Sequence, residues 1–205
     1  MSRTRIKICG IRDPRMAEVA VSAGADAIGV VLAEGSPRTV TVEQALEIAR
    51  SVPREVAVVA VVAAASRWWE ILIGWEGPIQ VHGTGSCDGS ETRGRQTVIR
   101  GFAWSEQAAQ TWDADPAVSA LLVDGPSGGS GVSFDHQQLA RTMPRLRTPV
   151  IIAGGLKPET VGAVVGHLRP YGVDVSSGVE SEPGKKDPGA IRSFCAAVRA
   201  AHAEG

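Results

Sequence analysis

The chain has 205 residues, 43% of them hydrophobic, with 21 basic and 22 acidic side chains and a net charge of -1. A chain of this kind is expected to form one globular domain over residues 1–205, and because charges of one sign never form a long run, neither nucleic acid nor an anionic membrane is an expected partner. Three scattered cysteines, Cys9, Cys87 and Cys195, have no CxxC spacing, which argues against a disulfide framework or a zinc site and for a reducing, cytoplasmic setting.

The chain opens on a strand, Arg5 to Cys9, too short for the apolar core of a signal peptide, and no later run reaches the length of a membrane helix. Asp13-Pro14 then sets a capping acid before a proline at the first helical position. A second strand runs from Ala27 to Leu32, and Thr41 with Gln44 three residues on forms a capping-box pattern. The third strand, Val56 to Val62, leads into Ser66 to Pro78, where the tryptophan-rich sequence leaves room only for a short helix. Ile79 to His82 is the fourth strand. The Gly/Ser-rich, charged stretch from Gly83 to Gln96 has no clear apolar period, so the fourth helix is expected to be reduced or missing. Thr97 to Phe102, Ala120 to Asp124, Val150 to Ala153 and Gly172 to Val175 supply four more strands, with Ser105, Asp135 and Asp187-Pro188 as helix caps between and after them.

Several of these strands are apolar at consecutive positions, as in Val58 to Val62 and Val150 to Ala153, the pattern of a parallel strand covered on both faces. Eight such strands alternating with helices predict an α/β fold, a single compact (β/α)8 TIM barrel at about 26 residues per unit. A doubly wound open sheet is the structural alternative.

Reacting groups of such barrels sit at the C-terminal ends of strands and in the following loops. That rule selects Cys9, Arg38, His82, Asp124, the Gly154-Gly155 pair, and Ser176-Ser177-Gly178. Backbone N–H groups of the two small-residue loops could grip a phosphate dianion. Asp124 leaves an apolar strand directly for a glycine-rich loop, a placement that suits a catalytic acid. Taken alone, Cys9 reads first as a small buried hydrophobe and His82 as readily as a structural histidine, while Arg38 is either a surface cation or, directed by Ser36-Pro37, a guanidinium for a carboxylate or phosphate. Asp174 could orient loop backbone, and Lys185-Lys186 reads as a solvated turn. The absence of HExxH, EF-hand, P-loop and post-strand GxGxxG patterns predicts neither a metal nor a nucleotide cofactor.

At these same positions the sequence resembles the phosphoribosylanthranilate isomerase family from end to end. The resemblance rests on Lys7-Ile8-Cys9-Gly10-Ile11, Ser36-Pro37-Arg38, Gln80-Val81-His82-Gly83, Leu122-Val123-Asp124, Gly128-Gly129-Ser130-Gly131, Ala153-Gly154-Gly155-Leu156 and Gly172 to Glu180 with Gly184-Lys185-Lys186-Asp187. It implies a cofactor-free Amadori rearrangement in tryptophan biosynthesis, acting on a small phosphorylated substrate, with the protein a monomer or homodimer. By the matched positions it implies Cys9 as general base, Asp124 as general acid, Arg38 and His82 as substrate-binding residues, and Gly154, Gly155, Ser176, Ser177 and Gly178 as the phosphate site. A free cysteine has a pKa of about 8.5, so nearby positive charge would need to shift Cys9 only modestly. The chain departs from the family's pattern at Val30, Leu32 and Ala60 to Ala64. The alternatives are a catalytically silent phosphate-ligand-binding barrel and a related or dual-substrate isomerase of histidine biosynthesis; the latter resemble this chain but use aspartate where Cys9 stands.

Overall fold

The structure, a computed structural model, describes residues 3–64, 72, 74–83, 97–125 and 136–203. Eight parallel strands close into a barrel in the order β1 to β8, with β8 returning to β1. They are β1 (Arg5–Cys9), β2 (Ala27–Val31), β3 (Ala57–Ala63), β4 (Ile79–His82), β5 (Val98–Ala103), β6 (Ala120–Asp124), β7 (Val150–Ile152) and β8 (Gly172–Val175). Closure excludes the open doubly wound sheet. Six helices are described: α1 (Pro14–Ala23), α2 (Val42–Ser51), α3 (Glu106–Asp113), α4 (His136–Thr142), α5 (Pro158–Leu168) and α6 (Pro188–Ala203). The expected short helix after β3, the reduced helix after β4, the Asp135 cap, Cys87 and the glycine-rich loop beyond Gly125 lie outside the described residues.

The apolar strands divide their residues between two cores. On β3, Val58, Ala60 and Val62 point outward into the shell between strands and helices, where they join Ile8, Ile28, Leu121, Val161 and Phe194. Val59 points inward, with Ile99, Leu122 and Ile151 filling the barrel, and Val61 packs above it with Cys9 and Val31. Two-sided burial is the reason consecutive apolar residues replaced alternation.

Helix starts follow the local chemistry of the chain. The Asp13 carboxylate accepts from the Met16 N–H at 2.9 Å, Thr41 and Gln44 bond reciprocally at 3.2 and 2.9 Å, and Ser105 accepts from Ala108 at 3.1 Å. Each satisfies N–H groups the helix itself cannot. Asp187 likewise accepts from Ala190 at 2.7 Å before α6. A two-stranded antiparallel hairpin, β9 (Glu180–Glu182) with β10 (Lys185–Lys186), stands after β8, and its Glu180 pairs with Arg38 from the loop after β2.

Candidate active site

Cys9 ends β1 facing inward, two residues above Lys7 on the same side of the strand. Lys7 is almost fully buried, and its ammonium donates to Asp174 Oδ1 on β8 at 2.8 Å. Burial works against the Lys7 charge, yet Asp174 and Cys9 together raise its pKa above the ordinary lysine value. Directly opposite Cys9 in the strand register is Gly29. A Cβ at Gly29 would sit 2.7 Å from the Cys9 sulfur and 3.0 Å from Lys7 Nζ, so the absent side chain is the space both groups occupy. Burial raises the Cys9 thiol above its usual pKa, against the downward pull of the Lys7 and Lys186 ammonium groups. Neighbouring cations are present as expected, but in the ligand-free protein desolvation outweighs them.

Asp124 ends β6 across the barrel, and its Oδ1 accepts the Gly125 N–H at 2.7 Å. Gly154 follows β7 at a φ of 80°, a left-handed conformation, and a Cβ there would fall 2.5 Å from both Asp124 Oδ1 and Gly125 N. Only glycine allows the loop to lie this close to the carboxylate. The loop after β7 and the loop after β8 enclose a hollow of about 40 Å³ lined by Asp124, Gly154, Gly155, Ser176, Ser177 and Gly178. Their approach depends on Gly178, whose Cβ would overlap the Leu156 carbonyl oxygen at 1.9 Å. Gly178 therefore has a packing role that its place in a small-residue loop did not reveal.

Arg38 is no surface cation: its Nε and Nη2 donate to the two oxygens of Glu180 at 2.8 Å each. Lys186 Nζ reaches the same carboxylate at 2.6 Å and the Ser176 carbonyl at 2.9 Å. Burial alone would raise the Glu180 pKa, but hydrogen bonds from both cations hold it below the usual carboxylate range. The reading of Lys185-Lys186 as a solvated turn is half wrong. Lys185 is exposed, whereas Lys186 is buried because a carboxylate and a carbonyl replace its water.

His82 ends β4, with its Nε2 2.5 Å from the Gln80 amide nitrogen. Burial, helped by Lys7, pushes its pKa down to about 4. A neutral ring that accepts the Gln80 N–H at Nε2 carries its own proton on Nδ1. Room for the ring comes from Gly101, its register partner on β5, where a Cβ would approach the imidazole to 2.5 Å. Gln80 also lines the cavity, and its buried Oε1 atom has no hydrogen-bond partner among the described residues. Arg100, wholly buried between strand and helix, stacks 3.8 Å over Trp112 and donates to the Gly83 carbonyl, which fixes the start of the loop after β4.

Most of these groups line one open cavity of about 800 Å³ or a 40 Å³ hollow that shares Asp124, Asp174 and Ser176 with it; Lys7, Arg100, Glu180 and Lys186 line neither. Cys9, Arg38, His82, Asp124, Asp174 and Ser176 line the large cavity, so the strand-end rule brings the expected residues together. Lys7, Gln80 and Glu180 lie within the strand-end segments but received no role of their own, and Lys186 lies outside them. The available signal for Lys7 was its place two positions before Cys9, which puts both side chains on the same face of the strand. Among the described residues, no cluster of three or more His, Cys, Asp or Glu side chains could hold a metal ion, and no helix is long and apolar enough to cross a membrane.

Comparison with known proteins gives one consistent result. Residues 6–197 match the family model described as N-(5'phosphoribosyl)anthranilate (PRA) isomerase. The chain is 43% identical over 202 residues to N-(5'-phosphoribosyl)anthranilate isomerase of Desulforamulus reducens, covering 95% of each chain. Its structure is similar to phosphoribosyl anthranilate isomerase from Thermus thermophilus, with a TM-score of 0.86 at 32% identity over 96% of this chain and 99% of the other. It is also similar to a phosphoribosyl anthranilate isomerase in complex with reduced 1-(o-carboxyphenylamino)-1-deoxyribulose 5-phosphate, with a TM-score of 0.82 at 30% identity over 96% and 99% of the two chains.

Proposed function

The chain belongs to the N-(5'-phosphoribosyl)anthranilate isomerase family, and from that premise we propose how its own residues divide the reaction. The protein is an isomerase that carries out the Amadori rearrangement of N-(5-phosphoribosyl)anthranilate to 1-(2-carboxyphenylamino)-1-deoxyribulose 5-phosphate in tryptophan biosynthesis.

In our reading Asp124, as general acid, gives its proton to the furanose ring oxygen, and the C1'–O bond breaks to leave an open-chain iminium. The iminium withdraws electrons from C1' and acidifies the C2' proton. Cys9, as thiolate, removes that proton, and the electron pair forms the C1'–C2' double bond of an enolamine. Protonation at C1' with loss of the C2' hydroxyl proton gives the ketone, so the sugar is isomerised without net gain or loss of atoms. A positively charged iminium beside Cys9 would lower the thiol pKa that burial raises, which ties base activation to the preceding step. The loops at Gly154-Gly155 and Ser176-Ser177-Gly178 hold the phosphate through backbone N–H groups. Arg38, fixed by Glu180 through one edge of its guanidinium, faces the anthranilate carboxylate, and neutral His82 hydrogen-bonds the sugar.

The observation that supports this division most directly is that Cys9 and Asp124 approach one cavity from strands on opposite sides, with the small hollow beside Asp124. Cys9→Ser keeps size but removes the acidic thiol, and Asp124→Asn keeps shape but removes the proton donor. Each should lower kcat by at least roughly 10²–10⁴-fold, the usual loss with a general base or acid. Affinity for a non-reactive product analogue should stay near that of the parent. Turnover within a few-fold of the parent in both variants would overturn the assignment.

A further inference from the structure

The buried Lys7–Asp174 pair has no part in the reaction scheme above. Two charges inside a barrel that apolar side chains could fill are weak evidence for stability, because desolvation opposes them. Their placement is more informative. Lys7 lies on the inward face of β1 directly below Cys9, its ammonium is anchored by Asp174 at 2.8 Å, and Gly29 leaves open the one space into which ammonium and sulfur both project.

We propose that Lys7 is a positioning residue for the base: its ammonium, aimed by Asp174, stabilises the Cys9 thiolate that takes the C2' proton. The proposal rests on the reading of Cys9 as base. Sulfur and ammonium lie 2.7 and 3.0 Å from the same vacant Cβ position at Gly29, and of the ion pair the ammonium acts on the sulfur more strongly than the carboxylate does. The other charged or titratable groups around Cys9 are accounted for. Arg38 and Lys186 share the Glu180 carboxylate, which offsets one of their two charges. His82 on β4 is neutral near pH 7, and Asp124 stands on the far wall. Lys7 is thus the cation that reaches Cys9 from below, inside the barrel, while Lys186 acts from the hairpin side.

The test is the rate of Cys9 alkylation by iodoacetamide in the ligand-free protein across about pH 6 to 10, where a thiol titrates, followed by mass spectrometry of the peptide carrying Cys9. Lys7→Met should move the alkylation midpoint upward and slow the reaction at pH 8 by about tenfold or more, the effect of losing an adjacent opposite charge. Asp174→Asn should move the midpoint downward and speed alkylation at pH 8, because the ammonium is then no longer countered. Lys7→Arg, which keeps the charge, should fall between the parent and Lys7→Met. Opposite movement in the Met and Asn variants is an outcome that simple loosening of the barrel does not produce. A parent-like midpoint in folded Lys7→Met, or movement of both variants in the same direction, would overturn the proposal. If Lys7→Met loses its near-ultraviolet dichroism and is unfolded, the Asp174→Asn arm decides: a downward shift supports the role, and an unchanged or upward midpoint overturns it. Retained turnover in Cys9→Ser would sink the base assignment while leaving the alkylation shifts in place, so the two failures are distinguishable.

Discussion

His82 carries a pH dependence whose sign follows from its burial. Its folded-state pKa, about 4, lies below the roughly 6.5 of an unfolded histidine, so the unfolded chain binds more protons between those values. The stability contributed by the neutral ring is full above about pH 6.5 and is lost as pH falls toward 4. The full depression corresponds to about 3 kcal/mol, which solvent at the cavity mouth reduces to roughly 1–2 kcal/mol. Glu180, held below its usual range, works in the same direction but only at more acid pH. Urea unfolding between about pH 7 and 5 should therefore show the parent losing stability while His82→Asn stays nearly flat. Equal slopes in the two proteins would refute this account. The position of His82 at a strand end was legible in the sequence, but its neutral state was not, because that depends on Gly101 making room for the ring and on Lys7 reaching from another strand.

The loops after β7 and β8 work as one unit because Gly178 lets them touch. Gly178→Ala would drive a methyl group into the Leu156 carbonyl, a backbone atom that cannot swing aside. The loops should separate and kcat/KM should fall by about tenfold or more, through loss of binding energy from the phosphate. Gly166→Ala in α5 is the control: its Cβ meets nothing within 4 Å, and it should leave kinetics unchanged while stabilising by roughly 0.5–1 kcal/mol. Parent-like kcat/KM in Gly178→Ala would remove the argument. Helix starts at Asp13, Thr41, Ser105 and Asp187 were readable in advance, since a cap and its N–H partner lie within three residues. The β9–β10 hairpin was not. Its Glu and Lys residues have the pattern of an exposed turn, and the guanidinium that draws Glu180 inward is 142 residues away in the chain.

The closed barrel gathers all these strand ends at one rim, so phosphate binding in the loops after β7 and β8, as proposed, should stabilise the whole domain. Inorganic phosphate at about ten times its dissociation constant should add about 1.4 kcal/mol, or roughly 3–6 °C in thermal midpoint for a chain of this size. Sulfate should act similarly, and chloride at equal ionic strength should not. A phosphate shift no larger than that of chloride would argue against an anion site in these loops.

The amino-acid sequence by itself determined the eight strands, the barrel they close, and the places where Cys9, Arg38, His82 and Asp124 meet the cavity. Apolar period, capping pairs and strand-end motifs are local, and a parallel barrel converts strand ends into one rim. Only the tertiary structure decided which charges are buried and with whom. Lys7 meets Asp174 across 167 residues, and Arg38 reaches Glu180 across 142. A charged side chain is stable in the interior only beside a compensating partner, and the identity of that partner is a property of the closed barrel and not of any segment of the chain.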